Sequence, residues 1–112
     1  MRKLALLAVL AVFAVPAFCA EQSFKDAPVV DAMCAKKAAA NPDAHTKACA
    51  VQCQGGGFGI VTPDQKFLKF DTAGSKQVLE QMKASSKEDH LRVDVTGDVQ
   101  GDTLKVKSIK LL

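Results

Sequence analysis

Three cysteines and one histidine fall within twenty residues of this chain, Cys34 to Cys53, CAKKAAANPDAHTKACAVQC. Thiolate sulfur and imidazole are ligands for soft and borderline metal ions, and thiols in pairs also form bridges or exchange them. The spacing narrows the choice. His45, Cys49 and Cys53 recur every fourth residue, so on an α-helix they share one face. At 1.5 Å per residue His45 and Cys53 lie about 12 Å apart along an unbroken helix, near the limit that two side chains and two metal bonds span. A Cys34, His45, Cys49, Cys53 tetrahedral set therefore requires the helix to bend or end early. Two smaller sets close more easily, Cys34 with Cys49 and Cys53, or Cys34 with His45 and Cys49. Their soft character favours Cu(I) somewhat over structural Zn(II).

Two other uses of the same residues stand beside metal binding. A bridge from Cys34 to Cys49 or Cys53 would close a loop of 15 to 19 residues, worth roughly 3 kcal/mol in the chain-entropy model. Cys49 and Cys53 pair less well, because one helical turn presents their Cβ atoms poorly for the S–S dihedral. The remaining use is thiol exchange by a cysteine activated by His45 one turn away, although neither Cys-x2-Cys nor Cys-x2-Cys-His occurs. His90, beside Glu88 and Asp89, reads as a surface loop histidine, with a supplementary ligand as the alternative. No carboxylate pair, serine triad or zincin motif is present, so the expectation is a non-enzymatic domain without an organic cofactor.

The elements that must position the cluster follow from local pattern. Glu21 to Asp26 reads as a loose lead-in and Ala27 to Met33 as a first strand delivering Cys34 at its end. Asn41-Pro42-Asp43 has the chemistry of a helix start, with a helix expected to about Gln54 and a stop at Gly55. Gly55-Gly56-Gly57-Phe58-Gly59 follows a helix and leads into a strand, the reverse of a phosphate loop, so it is read as a helix exit. Phe58 to Thr62 and Lys66 to Phe70 flank Pro63-Asp64-Gln65 as a hairpin. Asp71 or Thr72 caps a helix over Gly74 to Ser85 with Val78, Leu79 and Met82 as its apolar face. Leu91, Val93 and Val95 alternate with polar residues in a half-buried strand. In Thr103 to Leu112 the apolar phase changes between Val106 and Ile109, which predicts a β-bulge near Lys107 and Ser108. The sum is α+β: a small five-stranded, partly open OB-like barrel with two helices, one carrying the Cys/His stripe.

The chain opens MRKLALLAVLAVFAVPAFCA, two basic residues, an apolar run too short to span a membrane, then Pro16 and small residues. Residues 1–20 are therefore expected to be a cleaved secretory signal and 21–112 a single domain, periplasmic or secreted. Cys19 invites a lipoprotein reading, but Phe18 stands where a lipobox carries a small residue, so soluble export is preferred. Of the 15 lysines and arginines, Arg2 and Lys3 lie in the leader, which leaves 13 against 12 acidic side chains. Without a basic block, neither a nucleic acid nor, after cleavage, an anionic membrane is an expected partner. Phe58, Phe67 and Phe70 are read as core residues and not as a stacking platform. Export also leaves an odd number of cysteines where disulfides persist.

A cysteine closing the first strand, His45-x3-Cys49-x3-Cys53, a glycine-rich exit, Gln65-Lys66-Phe67 in the hairpin and Val93-Asp94-Val95-Thr96-Gly97 late in the chain together make a pattern. It resembles a group of small exported bacterial proteins of unknown function. The resemblance implies an exported location and a β-rich fold. Function then stands between a Cys/His domain that handles Cu(I) or Zn(II) and a disulfide-stapled scaffold that binds a protein or small ligand.

Overall fold

The computed structural model describes residues 20–112; residues 1–19 of the expected leader, Cys19 among them, lie outside the described residues. Five strands, β1 (Ala20–Asp31), β2 (Phe58–Val61), β3 (Phe67–Phe70), β4 (Arg92–Gln100) and β5 (Thr103–Leu111), close into a barrel in the order β1-β2-β3-β5-β4. The β3–β5 pair is parallel and the other four neighbours are antiparallel. Helices α1 (Ala35–Ala38), α2 (Lys47–Gln52) and α3 (Thr72–Ala84) lie in the connections. The expected small α+β barrel is present.

Closure depends on β1. Of the residues expected to form a loose lead-in, 21–26, the first four pair with β4, from Glu21↔Asp98 to Phe24↔Val95. The register shifts between Phe24 and Ala27, where Asp26 takes a left-handed φ of 52°. Beyond that irregularity the strand ends against β2, with Val29↔Ile60 and Asp31↔Phe58. One long bent strand thus serves two neighbours. The barrel is closed where a partly open one was expected, because this segment pairs with β4 instead of trailing in solvent.

Alternation along the strands fills two apolar clusters. Val29, Phe58, Ile60, Leu68, Phe70, Val93, Val95 and Leu104 meet Val78 and Met82 of α3 in the main core. Val30 and Val61, in the opposite phase, pack with Ala35 and Ala38 of α1 in a second. Small α1 side chains let that short helix lie close on the strands, and half-buried Phe67 closes the edge of the cluster. Helix α3 takes the expected Asp71 cap, whose carboxylate accepts from the Gly74 N–H at 3.1 Å, and starts at Thr72, two residues before the expected Gly74. The bulge is also where the phase change placed it. Thr96 pairs with Ser108 and Gly97 with Val106, which leaves Lys107 as the extra residue.

Candidate functional site

The helix expected from Asn41 to Gln54 does not form as one piece. A 3-10 turn covers Pro42–Ala44, His45 returns to extended backbone (φ −74°, ψ 118°), and only then does Thr46 cap α2 by accepting from the Cys49 N–H at 3.2 Å. Asn41 makes no capping hydrogen bond. Tertiary bonds hold the break open. Arg92 grips the Asp43 carboxylate with two hydrogen bonds, Nε to Oδ1 at 3.0 Å and an Nη to Oδ2 at 2.7 Å. The His90 N–H donates to the Asp43 carbonyl, and the Lys47 N–H donates to the Glu88 carbonyl. A continuous helix would need the Lys47 N–H for itself.

The break dissolves the expected stripe. His45 turns to Asp31, with its Nε2 2.5 Å from Oδ1. Cys49 remains on α2 and is exposed. Cys53, at the C-cap of α2, faces Cys34 instead.

The Cys34–Cys53 encounter is a consequence of sheet register. Asp31, the last residue of β1, pairs with Phe58, the first of β2, and the Ala32 N–H donates to the Gly57 carbonyl at 2.9 Å. The chain leaving β1 and the chain entering β2 therefore part from one point. Cys34 is three residues past it and Cys53 five residues before it. Gly57 has a left-handed φ of 81°, which a Cβ would strain, so a glycine belongs at this exit. The glycine run is thus a helix exit, as expected.

Asp31 is the residue that local pattern did not single out. It is completely buried, the one charged side chain in that class among the described residues. Its Oδ2 accepts from the Cys34 N–H at 3.0 Å, which caps the turn Ala32–Cys34, while Oδ1 takes the His45 hydrogen bond. Asp-x-x-Cys before an alanine and lysine run is a capping pattern. It was hidden because Ala27 to Met33 reads as uninterrupted strand.

One carboxylate oxygen of Asp31 and the sulfurs of Cys34 and Cys53 all lie within 4.8 Å of one another. Burial, then the neighbouring Asp31 and Cys53, push the Cys34 thiol above its ordinary value. That is the reverse of an activated exchange thiol. The premise of the redox reading, a histidine one helical turn before a cysteine, is also missing, since His45 precedes the helix and is held by Asp31. His90 is exposed, with Nδ1 2.9 Å from the Asp89 carboxylate, in keeping with a surface loop. Phe58 and Phe70 are buried in the core.

The Arg92 clamp carries a pH dependence. Hydrogen bonding to Arg92 holds Asp43 below its ordinary carboxylate value. In the folded chain Asp43 keeps its charge at a pH where the unfolded chain takes up a proton. The stabilisation is complete above about pH 4 and is lost as pH falls through the depressed folded value. For a partly exposed pair we expect about 1 kcal/mol. Urea midpoints at pH 6 and pH 3 should converge by that amount between wild type and Asp43→Asn; equal differences at both pH values would show that the clamp contributes nothing.

Among the described residues, no helix is long and apolar enough to cross a membrane. Compared with known proteins, the chain matches no family model, no curated protein and no solved structure.

Proposed function

We propose that the protein is a non-enzymatic exported domain that holds one soft metal ion, Cu(I) or Zn(II), on the Cys34 and Cys53 thiolates beside Asp31. The observation that carries this reading is the convergence of those three ligand atoms within 4.8 Å. Asp31 and Cys53 both oppose ionisation of the Cys34 thiol, and a cation held among the three ligand atoms turns that repulsion into attraction. His45 then acts through Asp31, fixing its orientation from behind as outer hydrogen-bond partners of metal ligands do. Cys49 lies outside the set.

The test is metal titration of the mature protein, reduced and kept anaerobic, against chromophoric chelators. One ion per chain with submicromolar affinity is expected, with Cys34→Ser and Cys53→Ser each weakening it by about 100-fold or more and Cys49→Ser leaving it unchanged. Uptake of neither ion, or a dependence on Cys49 equal to that on Cys34, rejects the assignment.

The same proximity favours a second reading, a Cys34–Cys53 bridge stapling a scaffold for a protein or small ligand. Closing that loop would contribute about 3 kcal/mol. A groove of about 500 Å³ whose lining includes Phe24, Pro28, Pro42, Val61 and Arg92 would offer such a ligand a surface. The circular strand order with β3 and β5 parallel, and α3 between β3 and β4, supports an OB-like classification of the scaffold. Native mass spectrometry of periplasmic protein separates the readings. A mass two hydrogens light with Cys49 alone alkylated indicates the bridge; a metal adduct whose removal frees three thiols indicates the metal site.

A further inference from the structure

We infer that Met33 supplies a third soft ligand to the Cys34 and Cys53 pair, which makes the ion Cu(I) and not Zn(II). This rests on the metal reading above. Met33 is 70% exposed, and the only other exposed large apolar side chain among the described residues is the terminal Leu112. Its placement is the informative part. Met33 directly precedes Cys34, and its side chain lies over the turn that follows Cys53.

That turn makes room for it. A Cβ built on Gly56 would meet the Met33 Cγ at 2.9 Å and its Sδ at 3.7 Å, so the thioether lies against a residue with no side chain. The Gly56 N–H in turn reaches back to the Cys53 carbonyl at 3.4 Å. Met33 thus adjoins Cys34 in the chain and packs on Gly56, three residues past Cys53.

A thioether is a neutral, soft donor. It suits Cu(I), whereas the protein ligands of Zn(II) are thiolate, imidazole and carboxylate. Asp31 is less suited to the cuprous ion, being a hard oxygen ligand whose two oxygens already accept from Cys34 N–H and His45. Cys34, Cys53 and Met33 together make a three-sulfur set with Asp31 behind it. Met33 as a residue is also open to solvent, where an arriving ion can meet it.

The experiment compares wild type with Met33→Leu, an exposed substitution of similar volume that leaves the fold intact, confirmed by an unchanged Tm. Cu(I) is presented as its bicinchoninate complex under anaerobic conditions, and Zn(II) is titrated separately against a chromophoric chelator. Cu(I) affinity is expected to fall about 10-fold or more in Met33→Leu while Zn(II) affinity stays the same. X-ray absorption of the Cu(I) form should show three sulfur neighbours in wild type and two in the variant. Equal Cu(I) affinity in both proteins, or an equal fall for both ions, overturns the role of Met33 and leaves the metal reading standing. Failure of wild type to bind either ion overturns both.

Discussion

Replacing Asp31 by alanine is expected to remove about 2 to 6 kcal/mol of stability, because it takes the acceptor from two hydrogen bonds at about 1 to 3 kcal/mol each. The carboxylate is fully buried and serves two donors, the Cys34 N–H and His45 Nε2. Alanine leaves both without an acceptor at a part-buried site, where such losses reach the range of about 1 to 3 kcal/mol only in part. Asparagine has one oxygen and one amide, so it can keep one of the two bonds and should cost less than alanine. Urea denaturation monitored by far-UV circular dichroism measures this directly. A domain of this size holds a total of roughly 5 to 14 kcal/mol, so the alanine variant should be near the edge of folding. A change below 1 kcal/mol would mean that the turn and His45 find other partners. The His45→Ala, Asp31→Asn cycle isolates the pair: strong coupling is expected, because removing one group takes away the other's main bond.

Alanine at Gly97 is expected to destabilise the domain by about 3 kcal/mol, with loss of the closing β4–β5 seam at its bulge. Its Cβ would lie 2.2 Å from the Lys105 carbonyl oxygen and 3.0 Å from the Val106 Cα. Both are backbone atoms, so no rotamer change relieves the contact. The clash falls where Thr96↔Ser108 gives way to Gly97↔Val106, so the ladder must open on one side of Lys107. Gly55→Ala is the control for the general cost of replacing a glycine, since its Cβ would meet nothing within 4 Å and its φ is not positive. Thermal melts of the two variants should differ by several degrees, Gly97→Ala being the lower. Equal melting temperatures would show that the strands yield at the bulge without cost.

Gly97 also illustrates how much of the barrel was legible. The change of apolar phase between Leu104/Val106 and Ile109/Leu111 places the bulge without any coordinates, because a strand must return its side chains to the core after an extra residue. Asp71 before an i, i+4 apolar face defines α3 for a similarly local reason, and Pro63-Asp64-Gln65 defines the β2–β3 turn. The Cys/His segment behaved differently. Asn41 and Thr46 are both sound caps by composition, and a helix from either satisfies the local chemistry. The decision came from Arg92 on Asp43, Glu88 on Lys47 and Asp31 on His45, partners between 14 and 49 residues away.

The amino-acid sequence by itself determined the kind of domain: a small α+β barrel, the helix α3, the hairpin, the bulge, and a set of thiols and one imidazole available for chemistry. These rest on interactions within a turn or between adjacent strands, which pattern and capping residues encode. Only the tertiary structure decided which of those groups meet. Closure of the barrel by the β1–β4 pairing, the burial of Asp31, and the Asp31↔Phe58 register that sets Cys34 against Cys53 are long-range events. They left Cys49 in solvent because the helix that would have aligned it with His45 starts two residues too late.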